Sequence, residues 1–373
     1  MKLNEICEVY SGYALKKFND IKDGMPVVKI GNIHVDGTLN LEMCQYTTED
    51  VDKKYYSNKG DVYIALSGAT TGKVGIMDTD DTYVINQRVG IIRQKNNGIP
   101  QEYIKYFLLR QTDRIFKEAT GCAQPNISPK QIADYIVPDI SKEKMYEICG
   151  IFNKIKKIID SRNAEISALD NLIKARFVEM FGACKNMLSM NELCSVITDG
   201  THQPPKFQKS GIPFIFVSNL ANNTVTYDTE KFISQETYSE LYKRTPIEIG
   251  DLLLSTVGSY GHPAVVVKDK KFLFQRHIAY LKPKCNIVNS FYLHSALLAP
   301  DGQRQIEGKV KGIAQKTLNL SEIKKIVVPI PPIEEQNEFE RFVHQVDKSK
   351  VVVQKSLDET QMLFDSLMQK YFG

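Results

Sequence analysis

From residue 142 to residue 181 the chain has one glycine and no proline, and apolar side chains return every three or four positions. In a heptad register starting at Met145, the seam positions are Met145, Ile148, Phe152, Ile155, Ile159, Arg162, Ile166, Leu169, Ile173, Arg176 and Met180, nine of eleven of them apolar. The last forty residues repeat the pattern with Gln336, Phe339, Val343, Val346, Lys350, Val353, Leu357, Thr360, Phe364, Leu367 and Tyr371, eight of eleven apolar. Two helices are predicted, each about 60 Å long at 1.5 Å per residue. Equal length favours their pairing as an antiparallel coiled coil; the alternative is that each packs on its own globule. Arg162, Arg176 and Lys350 either snorkel outward or decide which helix pairs with which.

The two helical tails belong to a longer repeat. Residues 121–182 lie over residues 312–373 at a constant offset of 191 without a gap. Ala123-Gln124 falls on Ala314-Gln315, Val137-Pro138 on Val328-Pro329, Leu172 on Leu363 and Phe181-Gly182 on Phe372-Gly373. The preceding halves match more loosely, as in GMPVVKIGNI with GIPFIFVSNL, KGDVYIALSG with IGDLLLSTVG, and INQRVGII with LFQRHIAY. The last pair sets Gln87-Arg88 over Gln275-Arg276. One unit of roughly 185–190 residues is therefore duplicated, its front diverged and its tail kept at constant length.

Each front half carries short Val/Ile/Tyr-rich runs bounded by Gly, Asn and Asp, the signature of strands, with helical stretches such as PQEYIKYFLLRQTDRIFKEA and SFYLHSALLAP between them. The expected fold is α/β (α+β): two mixed domains at 1–140 and 186–331, with helices at 141–185 and 332–373, related by a pseudo-twofold axis. Pro331-Pro332 and Glu334-Glu335 suit the first turn of the second helix. Ser141 is the candidate N-cap of the first, with Lys144 where an acidic partner usually stands.

At 373 residues, 42% hydrophobic and 25% charged, the chain reads as a multidomain globular protein. No apolar run reaches membrane-spanning length, and MKLNEICEVYSG has no basic region followed by an apolar stretch, so neither a membrane nor a secretory signal is expected. Seven dispersed cysteines without a C-x-x-C pair fit reduced thiols and a cytoplasmic location. The six histidines lack metal-ligand spacing. A net charge of +4 admits a nucleic-acid partner without requiring one.

Catalytic readings are weak. GATTGKVG at 68–75 has too few residues between its glycines for a phosphate loop, and Val74 stands where a hydroxyl would hold magnesium. HQPPKF at 202–207 faintly resembles the N-P-P-aromatic loop of amino-methyltransferases, but Gln203 replaces the residue that would hold the amine. No nucleophile triad or carboxylate pair is visible, though a site assembled from distant residues stays open.

Two divergent domains on a helical spacer suit duplex DNA, whose half-sites lie about 34 Å apart per turn. The duplicated layout, VPIPPIEEQNEFERF in the second tail, DGTHQPPKF at 199–207, GDLLLSTVGSYG at 250–261 and GDVYIALSGATTGKVGI at 60–76 together resemble the specificity subunits of type I restriction-modification systems. The resemblance spans essentially the whole chain. It implies two target recognition domains, each followed by a spacer helix, and a non-catalytic reader of a bipartite, asymmetric double-stranded DNA target. It also implies two modification (methyltransferase) subunits and restriction subunits as partners. No cofactor is expected in this chain, S-adenosylmethionine belonging to the modification subunit.

The candidate DNA contacts are polar and basic residues of the aligned loops. They are Lys16, Lys17, Thr70, Thr71, Lys73, Gln87 and Arg88 in the first half, and Thr201, His202, Gln203, Lys206, Ser259, Tyr260, Gln275 and Arg276 in the second. Each also reads as ordinary solvated surface. A coiled-coil assembly scaffold without DNA readout is the alternative function.

Overall fold

The run Val62–Ala65 shows no polar-apolar alternation because its strand is buried on both faces. The structure, a computed structural model, describes residues 1–95, 98–119, 125–312 and 316–373. The repeated pairs Ala123-Gln124 and Ala314-Gln315 lie outside the described residues. The chain divides into two compact units, Met1–Arg162 with Ser356–Gly373, and Asn163–Lys355.

Unit 1 runs α1 (Leu3–Ile6), β1 (Cys7–Ser11), β2 (Met25–Val28), β3 (Gln45–Thr47), β4 (Val62–Ala65), β5 (Val74–Ile76), β6 (Val84–Ile85), β7 (Val89–Gln94), α2 (Gln101–Arg110), α3 (Thr112–Glu118) and α4 (Pro129–Ala133). The long helix α5 (Lys142–Phe181) follows and continues into unit 2. Next come β8 (Met187–Ser189), α6 (Met190–Leu193), β9 (Cys194–Asp199), β10 (Ile212–Ile215), β11 (Phe232–Ile233), α7 (Gln235–Leu241), β12 (Leu252–Ser255), β13 (Pro263–Val265), β14 (Leu273–Phe274) and β15 (Ile278–Pro283). The chain ends with α8 (Ser290–Leu298), α9 (Pro300–Lys309), α10 (Leu320–Ile323), β16 (Val327–Pro329) and the second long helix α11 (Ile333–Phe372).

The duplication is visible in the topology. Unit 1 has an antiparallel sheet β1-β7-β4-β5 and a small sheet β3-β2-β6 in which β2 and β6 run parallel. Unit 2 repeats both orders as β9-β15-β12-β13 and β11-β10-β14, again with one parallel pair, β10 and β14. In unit 1, Val62, Ile64 and Ile92 pack with Tyr103, Phe107, Ile132, Ile148 and Phe152 of the helices. Tyr63, Ala65 and Ile91 face the other way, onto Val28 and Ile85. In unit 2, Leu252, Leu254 and Leu281 join Tyr292, Phe177 and Phe339, while Leu253 and Tyr280 join Ile215 and Phe274. Each of these large apolar side chains contributes about 1.5–3 kcal/mol by leaving water.

A buried carboxylate immediately precedes the central strand of each main sheet, Asp61 before β4 and Asp251 before β12. Asp61 is 2% exposed and is held by Arg93 through Nε at 3.0 Å and Nη2 at 2.6 Å. Its counterpart Asp251 accepts from the Tyr280 hydroxyl at 2.8 Å, with Lys282 Nζ 3.6 Å away. Burial pushes the Asp251 carboxyl above the usual carboxylate range.

The two long helices are antiparallel in each unit. In unit 1 the start of α5 meets the end of α11: the Phe152 ring lies 5.3 Å from Phe364 and 6.0 Å from Phe372. In unit 2 the end of α5 meets the start of α11, with Phe177 and Phe181 at 5.5 and 5.6 Å from Phe339. Ile148, Phe152, Ile155, Ile159, Phe339, Val343, Val346 and Val353 are buried; Ile166, Leu169, Ile173, Leu357, Phe364 and Leu367 are half-buried. Toward each C-terminus the buried positions slip by one residue, to Phe177 and Phe181 and to Met368 and Phe372. An unsupercoiled helix drifts about 20° per heptad, so four heptads bring about 80°, close to one residue's step of 100°. Lys350 reaches Asp170 at 2.6 Å, and Arg176 pairs with Glu179 at 2.9 Å.

Both helix starts are anchored. The Ser141 hydroxyl accepts from the Lys144 N–H at 3.3 Å. Gln336, fully buried, donates to the Pro331 carbonyl at 2.9 Å and accepts from the Asn289 N–H at 2.9 Å, tying α11 to the N-cap of α8.

Candidate nucleic-acid interface

Four segments come together in each unit, and main-chain hydrogen bonds hold them. In unit 1 the segment after β1 is tied to the β6–β7 turn: Tyr13 N–H donates to Ile85 O at 2.7 Å, Gln87 N–H to Tyr13 O at 2.8 Å, and Gly12 N–H to Val89 O at 2.9 Å. The turn is tied to the end of β4 by Leu66 N–H to Arg88 O at 2.9 Å. The β4–β5 loop is tied in turn to the repeated passage before α4, by Gly68 N–H to Pro125 O at 3.0 Å and Ile127 N–H to Leu66 O at 2.9 Å.

Unit 2 makes the same six bonds. Thr201 N–H donates to Phe274 O at 3.0 Å, Arg276 N–H to Thr201 O at 3.1 Å, and Gly200 N–H to Ile278 O at 3.2 Å. Thr256 N–H donates to His277 O at 2.9 Å, Gly258 N–H to Lys316 O at 3.1 Å, and Leu318 N–H to Thr256 O at 2.8 Å. Gly12 and Gly200 are required by this approach: a Cβ at either would lie 2.3 Å from the carbonyl oxygen of Ile85 or Phe274.

These bonds correct one expectation. Gln87-Arg88 does not correspond to Gln275-Arg276. Gln87 and Arg276 both donate to the carbonyl after the close-packed glycine, and Val89 and Ile278 both close the turn, donating to Asn86 O at 2.9 Å and Gln275 O at 3.1 Å. The correspondence is therefore Asn86 with Gln275, Gln87 with Arg276 and Arg88 with His277. The shared letters Gln-Arg pull the sequences one residue out of register, and in a strand such a slip would turn every following side chain to the wrong face.

The structure places the other candidates as follows. Lys16 and Lys17 are exposed, and their N–H groups donate to Glu49 at 2.7 and 2.5 Å. Gln87, Arg88, His202, Gln203, Lys206, Ser259 and Arg276 are exposed; Thr70, Lys73, Thr201, Tyr260 and Gln275 are half-buried. Thr71 does not reach the surface: it is 3% exposed, and its hydroxyl donates to Gly68 O at 2.7 Å to close the loop. That loop joins two paired strands, β4 and β5, so GATTGKVG has no following helix N-terminus of the kind a phosphate loop uses. Among the described residues no cluster of His, Cys, Asp or Glu could hold a metal ion, and no helix is long and apolar enough to cross a membrane.

Unit 2 adds residues that the sequence did not single out. A recess of about 280 Å³ opens beneath the turn, lined in part by Asp199, Thr256, Arg276, His277, Thr317 and Asn319. Asp199 is held by Arg244 at 2.8 Å and His202 at 3.0 Å. Arg276 Nε–H donates to His277 Nε2 at 3.4 Å. Burial and the neighbouring guanidinium hold the His277 imidazole below its usual range, so it is neutral at neutral pH. The main-chain bonds point to His277, which takes the place of Arg88; Arg244 comes from a distant segment with no motif around it.

Each unit thus presents exposed basic and amide side chains on a matched loop frame, with groups suited to phosphates and base edges. The sequence matches the family described as "Type I restriction modification DNA specificity domain" over residues 1–171 and 186–359. It is 23% identical, over 412 aligned positions, to the type I restriction enzyme EcoBI specificity subunit of Escherichia coli, with all of this chain and 85% of the relative covered. It is 25% identical over 183 positions to the MjaVIII specificity subunit of Methanocaldococcus jannaschii, 47% of this chain and 43% of the relative. The fold is similar to the S subunit of M. genitalium (TM-score 0.53, 14% identity, 100% and 95% covered). It is also similar to a chain from a type I R-M system solved for complex assembly and conformational transition (TM-score 0.56, 16% identity, 100% and 96% covered). The chain belongs to the type I restriction-modification DNA specificity family.

Proposed function

We propose that this chain is the DNA-reading subunit of a type I restriction-modification complex and has no catalytic role of its own. Residues 1–140 and 186–331 act as its two target recognition domains, and 141–185 and 332–373 as spacer helices. Each recognition domain reads one half of a bipartite, asymmetric target, and the length of the helices sets the gap. Two methyltransferase subunits, which carry S-adenosylmethionine, and restriction subunits are the partners, in the cytoplasm.

The observation that carries this reading is the pair of loop frames: the same six main-chain bonds, dressed with different side chains. A fold that repeats its backbone and varies its exposed polar groups suits two different half-sites. Lys16, Lys17, Lys73 and Lys206 supply phosphate contacts, with Thr70, Thr201, Ser259 and Tyr260 as hydrogen-bonding neighbours. Gln87, Arg88, His202, Gln203, Gln275 and Arg276 are the candidates for base edges. Thr71 acts as a structural residue of its loop.

The test is methylation mapping after co-expression with the cognate methyltransferase subunit in a methylation-free host. A two-part asymmetric motif that depends on this chain is the expected result. Methylation at the same sites with and without the chain would leave it as an assembly scaffold.

A further inference from the structure

The β6–β7 turn of unit 1 and the β14–β15 turn of unit 2 are the same structure with different tips. Both are four-residue turns closed by a main-chain bond, Val89 N–H to Asn86 O and Ile278 N–H to Gln275 O. Both tips are pinned from two sides, by the segment after the first strand and by the end of the central strand. In unit 1 the turn is stiffened further, since the Asn86 side chain accepts from Arg88 N–H at 3.2 Å. The tip side chains take no part in these bonds. Gln87, Arg88 and Arg276 are exposed, and His277 is half-buried at the rim of the recess.

We infer that these two turn tips are specificity-determining positions, at which Gln87-Arg88 in unit 1 and Arg276-His277 in unit 2 read base edges and make the half-sites differ. The inference rests on the DNA-reading function proposed above. A rigid tip is what base readout needs, because a side chain discriminates bases only if its backbone is fixed relative to the groove. The chemistry of the two tips differs at both positions. At the first, the Gln87 amide offers one donor and one acceptor, matching the N7 and N6 edge of adenine, where Arg276 offers a forked donor matching guanine O6 and N7. At the second, Arg88 offers the forked donor, where His277 offers an imidazole that accepts at Nε2 from its neighbour. The residues paired by the hydrogen-bond frame, and not by the shared Gln-Arg letters, are the ones to exchange.

The experiment maps methylation by the full chain with its cognate methyltransferase subunit, using two exchanged chains. One carries Gln87→Arg with Arg88→His; the other carries Arg276→Gln with His277→Arg. The first should change one or two adjacent base pairs of one half-site and leave the other half-site intact, and the second the converse. Preference at each altered base pair should shift by about 10- to 100-fold. If an exchange abolishes methylation, Arg88→Lys keeps the charge and removes the fork; relaxed discrimination at a single base pair then supports the assignment, and an unrelaxed motif overturns it. A motif that survives both exchanges unchanged overturns the assignment and leaves the DNA-reading function standing. A wild-type chain that imposes no motif overturns that function itself.

Discussion

Arg93 grips Asp61 with two parallel hydrogen bonds, Nε to Oδ1 at 3.0 Å and Nη2 to Oδ2 at 2.6 Å, where the corresponding Lys282 stands 3.6 Å from Asp251. The same buried acid is thus satisfied by a fork in unit 1 and by the Tyr280 hydroxyl and the Glu248 N–H, each at 2.8 Å, in unit 2. Asp61→Asn removes the counter-charge of the guanidinium, leaving it the Tyr56 and Lys54 carbonyls, and should cost about 3 kcal/mol. Asp251→Asn keeps an acceptor for Tyr280 and removes a carboxylate that burial disfavours. With its folded pKa raised, Asp251 contributes most below its unfolded value and loses that contribution as pH rises through the folded one. Its replacement should therefore change stability at neutral pH by less than about 1 kcal/mol. Denaturant unfolding of the two variants checks the contrast, and equal losses would contradict it.

Acid should weaken unit 2 through His294. This half-buried imidazole donates from Nε2 to the Asn223 carbonyl at 3.0 Å, and burial holds its pKa below the ordinary value. A lowered folded pKa means that stability is complete above the unfolded value of about 6.5 and falls as pH drops through it. The expected loss approaches about 1.4 kcal/mol per pH unit below that point, until the folded pKa is reached. Melting curves between pH 7.5 and 5.5 should show the decline, and His294→Gln should flatten it.

The spacer helices should act as a ruler. Deleting residues 159–165 and 350–356 together removes one heptad at equivalent places in α5 and α11. About 10 Å of helix is lost, which corresponds to about three base pairs at 3.4 Å each. Methylation mapping should find the two half-sites unchanged and the gap between them shorter by about that amount. An unchanged gap would show that the helices do not set it.

Lys206 is exposed on the loop after β9. As a phosphate contact, its replacement by Ala should weaken binding of the assembled complex to all sequences alike. The dependence of log affinity on log salt should become shallower by about one. A changed methylation motif with an unchanged salt slope would place Lys206 at a base edge instead.

The long helices were the most legible part of the chain, because a sustained apolar period leaves few alternatives. Even there the one-residue slip to Phe177 and Met368 was hidden, since it depends on whether the helix supercoils and not on which residues it contains. Strands such as Val62–Ala65 could be located, but the parallel pairing of Met25–Val28 with Val84–Ile85 could not, because parallel neighbours are distant in sequence. At the candidate site the sequence supplied the right turn in the wrong register. Thr71 looked like any loop hydroxyl until its bond to Gly68 placed it inside. His277 has no prominence in the sequence, because the shared Gln-Arg letters set Arg276 against Arg88.

The main-chain bonding of the four segments bears on how such a protein changes over generations. Every tie between Tyr13, Gln87, Leu66 and Pro125, or between Thr201, Arg276, Thr256 and Lys316, is made by atoms common to almost all amino acids. Codons for the tip side chains can therefore drift, or be exchanged wholesale by recombination, without unfolding the loops that display them. Substitutions at the tips change which polar groups are displayed at no cost to the frame, whereas a side chain at Gly12 or Gly200 would collide with the carbonyl oxygen of Ile85 or Phe274.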